Sequence, residues 1–402
     1  MINNLLDIKP EIRENGMFVY PCISVSPVRS TVYTNVVNEW GEHWNKVHGI
    51  KPPSNNKGNG FISKKGQSNL EKAVYHFLYS VDPAIVNEGK NKHKVTFLTL
   101  TLPSSQKKQH SDKDIKEQCL NQFLTEIRTE FQVSKYIWKC EKQEKGDFHI
   151  HLLTDKFLPW REMRTKWNRI CNKLGYVYEY HKRFKDLSFT DYRKIRLQES
   201  KYKGKLSQKQ EQEIKRAFKK GHETNWMDPN SVDVESLRKA GNVAAYVSKY
   251  MSKEHKESAN LEDLKVDGRI WYSSQAIAKM KNLIIELIDR DNYVNEFKAM
   301  LDTYQDEIFE GQYTISLGVP VDRLKRKGFD LIPNDFHLHC EIMYGRSVEN
   351  DTYQHRENVE YKKELEIRKQ KQECEKLLQE LIKKGKERRE LINNRKQLEL
   401  CM

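Results

Sequence analysis

The 402-residue sequence predicts an α+β fold: a central antiparallel sheet with helices packed on one side, extended by further helices. Three observations carry this. Val95 to Leu102 alternates threonines with β-branched and large apolar residues until Pro103 ends the run, which is the pattern of a buried strand. Tyr136 to Glu141 and Asp147 to Thr154 are two strand-like runs on either side of Gly146, and so read as a hairpin. Two amphipathic helices accompany them. Ser111 or Asp112 opens the first, with Ile115, Cys119, Phe123, Leu124, Ile127 and Phe131 at helical spacing. Pro159 opens the second, with Trp160, Met163, Trp167 and Ile170 inward and Gly175 at its end. The order strand, helix, strand, strand, helix suits an antiparallel sheet covered on one face.

The flanking regions are assigned in chain order. Phe18 to Val25 reads as a strand, with Pro21 confining it to a sheet edge and Pro27 stopping it. Lys51 to Lys65 is a Pro, Gly, Asn and Lys-rich connection, after which Ser68 or Asn69 caps a helix carrying Leu70, Val74, Phe77 and Leu78. Ser231 to Glu235 alternates like a strand, and Asn242 can cap a helix over Val243 to Lys253. Beyond Tyr272 the pattern predicts a helix through Lys279 to Ile288 and strand-like pieces as far as Tyr344. Residues 353 to 400 are charged and proline-free, with Ile367, Cys374 and Leu381 at sevenfold spacing. The division is therefore 1–90, an N-terminal accessory region; 91–275, the sheet domain; 276–350, a C-terminal mixed region; and 351–402, a long charged helix through which copies could associate.

Composition narrows the partners. Lys and Arg number 71 against 57 Asp and Glu, a formal charge of +14 that favours a polyanion, with nucleic acid the default and a membrane surface not expected. No run of eighteen apolar residues occurs, and Met1 to Pro10 is neither basic nor followed by an apolar signal core, so a cytoplasmic protein is expected. Seven cysteines without a Cys-x-x-Cys pair point to neither a disulfide framework nor a zinc knuckle. Lys182 to Glu223 carries fourteen Lys or Arg against six Asp or Glu, with Tyr192, Tyr202 and Phe218 interleaved. It is either a solvated helical insertion or a phosphate-tracking arm whose rings stack on unpaired bases.

The chemistry-bearing stretch is Glu141 to His151. On a strand, His149 and His151 project from one face while Phe148 and Ile150 take the other. A hairpin at Gly146 returns Glu141 beside them, making a site of two nitrogens and one oxygen with open positions. Such a set suits Mg2+ or Mn2+ acting on a phosphate better than a closed structural zinc. Asp335 to His339 repeats the His-x-His pattern, but the residue eight before its first histidine is Phe329 and no paired tyrosines follow, so that pair reads as structural. Downstream, Tyr246 and Tyr250 lie four apart on one helix face, with Lys249 adjacent; the bland alternative is a core-lining pair with hydroxyls at the rim.

In this order the residues resemble the HUH endonucleases, and within them the two-tyrosine rolling-circle replication initiators of single-stranded DNA bacteriophages and related plasmids. Phe97 to Leu102 is similar to that family's first motif, Glu141 with His149-Ile-His151 to its metal motif, and Tyr246-Val-Ser-Lys249-Tyr250 to its tyrosine motif. The resemblance covers roughly residues 60 to 275. It implies an HUH, RRM-like domain that nicks and rejoins DNA, with Glu141, His149 and His151 as metal ligands, Tyr246 and Tyr250 as nucleophiles and Lys249 stabilising charge. The implied substrate is single-stranded or supercoiled origin DNA. No Gly-x-x-x-x-Gly-Lys-[Ser/Thr] loop is present, so a helicase, with polymerase and single-stranded DNA-binding protein, would come from the host. Two alternatives stay open: a relaxase or transposase of the same chemistry, and a non-catalytic binder of single-stranded nucleic acid.

Overall fold

The computed structural model describes residues 5–6, 11–12, 18–37, 60–88, 95–106, 109–143, 146–198, 206–235, 246–247, 249, 251, 264–288 and 290–344. The chain opens with β1 (Glu11–Ile12), β2 (Phe18–Ser26) and β3 (Arg29–Val37), then helices α1 (Lys64–Val81) and α2 (Pro83–Asn87). Strand β4 (Thr96–Thr101) leads into α3, whose α-helical turns Asp112–Asp114 and Asn121–Glu130 flank a π-helical stretch, Ile115–Leu120. The hairpin β5 (Tyr136–Lys142) and β6 (Phe148–Thr154) is followed by α4 (Trp160–Asn172), α5 (Tyr176–Phe184), α6 (Phe189–Leu197) and α7 (Gln208–Glu223). Next come β7 (Val232–Glu235), β8 (Trp271–Ser273), α8 (Gln275–Ala278), β9 (Leu283–Glu286) and α9 (Asp291–Thr303). The last described elements are β10 (Ile308–Glu310), β11 (Thr314–Leu317), α10 (Val321–Arg326) and α11 (Leu331–Tyr344).

The fold is α+β, as expected, but it holds two antiparallel sheets. One has the order β7-β4-β6-β5-β8. Its inner face, including Leu98, Leu100, Trp138, Ile150 and Leu152, packs against Phe123 and Ile127 of α3 and Met163, Trp167 and Ile170 of α4. Trp167 stacks edge-on to Phe123 with centroids 5.6 Å apart, and its indole N–H donates to the Thr101 carbonyl at 2.8 Å. That bond ties the helical layer to the end of β4, at a threonine of the site described below. The other sheet has the order β1-β2-β3-β11-β10, with β9 pairing β2, so strands from residues 11–37 and 283–317 build it together. Residues to Phe336 form one compact unit; a second begins at His337, of which the last turns of α11 are described.

Several expectations change. Pro21 does not mark an edge: β2 pairs β3 on one side and, on the other, β1 at Phe18 and Val19 and β9 from Cys22 to Val25. Pro21 falls in the gap between those two partners, where a missing N–H costs no ladder bond. Residues 283–286 are strand, not helix, because a short apolar run carries no period that separates the two. Helix α1 starts at Lys64, capped by Ser63 whose hydroxyl accepts from Gly66 N–H at 3.0 Å; its first turn lacks apolar residues, which hid it. Residues 291–303 and 331–344 are helical rather than strand-like, with Phe297, Met300 and Leu301 as the buried stripe of α9. His337 and His339 therefore sit on a helix, about 200° apart around its axis, and share no face. Residues 351–402, the expected long helix, lie outside the described residues. Among those described, no helix is long and apolar enough to cross a membrane.

Helices α5 to α7 form an insertion with its own small core of Phe184, Tyr192, Ile214 and Trp226. Tyr192 is buried and Phe218 packs against the same cluster, so these rings hold the insertion together instead of awaiting bases; Tyr202 lies outside the described residues. Gly221 is where α7 meets the face of the Trp226 ring, and a Cβ there would collide with it. Gly221→Ala is expected to loosen the insertion by about 1–3 kcal/mol through overpacking. The check is hydrogen exchange, with faster amide exchange over α5 to α7 and unchanged protection in β4 to β6.

Candidate metal centre

The period-two alternation of β4, β5 and β6 decides the site. In register, Thr99 and Thr101 stand opposite His151 and His149, and those histidines stand opposite Lys139 and Glu141. All six side chains therefore leave the sheet on the face away from the core that α3 and α4 cover. Gly146 adopts φ +80° in the connecting turn, the left-handed conformation that reverses the chain between Glu141 and His149. The turn is held from outside: Lys142 pairs with the buried Asp112 at 3.2 Å, and Gln106 N–H donates to Asp147 at 2.7 Å.

Glu141, His149 and His151 each offer a ligand atom, and these atoms lie within 4.8 Å of one another. Glu141 Oε1 is 3.0 Å from His151 Nε2, a diagonal contact across the hairpin, and its Oε2 is 3.3 Å from Lys139 Nζ. The two imidazoles are 4.8 Å apart between centroids, and His151 stacks on Phe97 at 5.6 Å with planes 10° apart. On the far side of each ring, Nδ1 meets a threonine hydroxyl at 3.2 Å, His151 with Thr99 and His149 with Thr101. The Gln143 amide also approaches His149 Nδ1, at 3.1 Å, and can turn its oxygen to accept. With Nδ1 so engaged, Nε2 is the atom each ring would present to a metal, which is how metal-binding histidines are oriented. Two imidazole nitrogens and one carboxylate oxygen, with an open side, fit a six-coordinate divalent ion such as Mg2+ or Mn2+.

Burial by itself would push the Glu141 carboxyl up, but the hydrogen bond and charge of His151, joined by Lys139 and His149, hold it down at about 2. It is thus a ready anion at any pH where the imidazoles are neutral. Because this folded-state value lies below the ordinary 4.5, the contribution to stability is complete above about pH 4.5 and is lost as pH falls toward 2. Urea unfolding of the metal-free protein across that window should lose up to about 3 kcal/mol that Glu141→Gln does not lose.

Sequence reasoning named the three ligands but missed their supports. Lys139 is 2% exposed, although it interrupts an apolar strand. Its signal, and that of Thr99 and Thr101, was available: alternate positions on paired strands share a face, so the residues flanking Glu141 and the histidines were bound to surround them.

The second half of the expected site is described in part. Tyr246, Val247, Lys249 and Met251 are helical; Val247 and Met251 are fully buried, Tyr246 is half-buried and Lys249 is exposed. The buried stripe of this helix is therefore the Val247 and Met251 pair, and Tyr246 lies about 100° around from Val247, at the flank of the stripe. Tyr250 lies outside the described residues.

Residues 95–255 match a family model of replication-associated proteins of the ORF2 type, a span that contains β4, the metal candidates and both tyrosines. No curated protein and no solved structure matches the chain. The family match supports a Rep-type initiator and involvement in replication initiation.

Proposed function

We propose that the protein is a metal-dependent, site-specific DNA nickase and strand transferase that initiates rolling-circle replication through a 5′-phosphotyrosine intermediate. The observation that carries this is the Glu141, His149 and His151 triad on an open sheet face, inside the stretch similar to replication-associated proteins. A divalent ion held by these ligands supplies Lewis-acid polarisation of a nonbridging oxygen of the scissile phosphate.

The chain's own residues do the rest. Thr99, Thr101 and Gln143 fix the two rings, and Lys139 occupies the second oxygen of Glu141, so the ligand set keeps its geometry without substrate. The hydroxyl of Tyr246 or Tyr250 forms a bond to phosphorus as the bond to the 3′ oxygen breaks; the phenol gives up its proton and the 3′ oxygen takes one up. Lys249, exposed on the same helix, stabilises charge on the phosphate or the incipient phenolate. Because the product is still an ester, strands can be rejoined without ATP. A second tyrosine lets one stay joined to DNA while the other cuts the completed copy.

The test is a denaturing gel of protein incubated with labelled single-stranded origin DNA and Mg2+ or Mn2+. A protein band carrying label, lost with chelator, is expected. Gel shifts that ignore metal, with no covalent band, would instead indicate a binding protein.

A further inference from the structure

A cavity of about 420 Å3 opens on the six-stranded sheet, between the hairpin end of β2 and β3 and one face of α1. It lies wholly outside residues 95–255. Its α1 wall is Ser68, Glu71, Lys72 and Tyr75, at the i, i+3, i+4, i+7 spacing of a single helical face, and the sheet wall includes Arg29 and Phe309.

Three features of this cavity point one way. First, its two cations lack acids. Elsewhere charged side chains pair, as in Arg169 with Glu126 at 2.6 Å and Arg193 with Glu211 at 2.9 Å. Among the described residues, neither Arg29 nor Lys72 has a carboxylate partner. Burial, and then the positive charge of Lys281, pull the Lys72 ammonium below its usual range, so the local field is short of negative charge. Second, an aromatic ring stands beside the cations. Phe309 is 56% exposed, and the Arg29 guanidinium lies 5.7 Å from its centroid. Third, that ring is held in place. A Cβ on Gly318 would come within 2.7 Å of it, so the bare backbone supports one side of the ring and leaves the other open. A fixed ring facing outward costs little to order when a flat partner stacks on it.

We infer that this cavity binds one nucleotide of single-stranded DNA, the base stacked on Phe309 and the phosphate between Arg29 and Lys72. The volume suits a ligand of nucleotide size, and the pairing of one ring with two cations is the usual chemistry of single-strand binding. Glu71 on the same wall repels phosphate and would face the base edge, where a carboxylate accepts from an exocyclic amine. A base inside a duplex cannot stack on a single ring in this way, so the site selects unpaired DNA. The choice of DNA as the polyanion rests on the proposed function. Under it, the second sheet would hold a displaced strand while the metal face acts elsewhere.

The experiment uses the full-length protein in EDTA, so that the metal centre does not contribute. Fluorescence anisotropy of a labelled 20-mer oligo(dT) is followed over a salt series, with a 20-bp duplex and dTMP as competitors. Arg29→Glu with Lys72→Glu is expected to weaken oligo(dT) binding about tenfold or more and to make the log–log salt slope shallower by about 1.4, two phosphate contacts' worth. Phe309→Ala is expected to cost about fivefold or more, and Arg29→Lys with Lys72→Arg to bind like wild type. Unchanged affinity in the charge-reversed variant overturns the site. So does duplex competing as well as oligo(dT), and dTMP competing as well per nucleotide marks a free-nucleotide site instead. If wild type forms no covalent adduct but the variants still lose oligo(dT), the nickase reading alone fails; if adducts form and the variants bind normally, this inference alone fails.

Discussion

His149→Ala and His151→Ala, each made singly, should abolish chelator-sensitive nicking while leaving salt-dependent DNA binding near wild type. Three donor atoms within 4.8 Å make the candidate centre, and removing one leaves two, too few to hold a hydrated divalent ion at ordinary concentrations. The loss in Mn2+ affinity, read by titration calorimetry, should exceed the roughly 10- to 100-fold that follows from disturbing an outer-shell partner. Thr99→Val and Thr101→Val provide that comparison, since each removes the hydroxyl 3.2 Å from an imidazole Nδ1 and leaves the ligand itself in place. A graded result, with histidine variants below threonine variants and both below wild type, ties the effect to metal. Because both histidines lie on the sheet face away from the core under α3 and α4, the fold should survive either change. Nicking that persists in both histidine variants would remove the metal centre from the mechanism.

Tyr246→Phe together with Tyr250→Phe should eliminate every covalent DNA–protein band, because a phosphotyrosine cannot form without the phenolic oxygen. Phenylalanine keeps the ring, and the anchors of the helix are Val247 and Met251, so the change takes away chemistry and not packing. The single variants divide the work: the one that stops the first cleavage identifies the initiating tyrosine, and the other should still nick once but fail to release a completed circle. Mass spectrometry of the adduct formed by each single variant reads this directly. Label remaining on protein in the double variant would place the nucleophile on another residue.

Much of the metal face was legible because strands impose a period of two. Once Tyr136 to Glu141 and Asp147 to Thr154 were read as a hairpin about Gly146, the meeting of Glu141 with both histidines followed from alternation and register. The aromatic residues of the basic stretch were harder. Charge and rings in Lys182 to Glu223 suit a base-stacking arm and a helical insertion equally, and Tyr192 and Phe218 turned out to be core. Hydrophobic rings in a charged helix carry no mark of which side they face until neighbouring helices are in place.

From the order of its residues alone, this protein had an α+β class, a three-ligand cation site on one strand face and a tyrosine pair one helical turn apart. Those are local properties, set by backbone periods of 2 and 3.6. Only tertiary structure decided that residues 18–37 and 283–317 share a sheet, that Pro21 sits between two partners, and that Arg29, Lys72 and Phe309 surround one cavity. Strand pairing across some 250 residues depends on which surfaces are left to bury after each local element forms, and no short-range pattern records that choice.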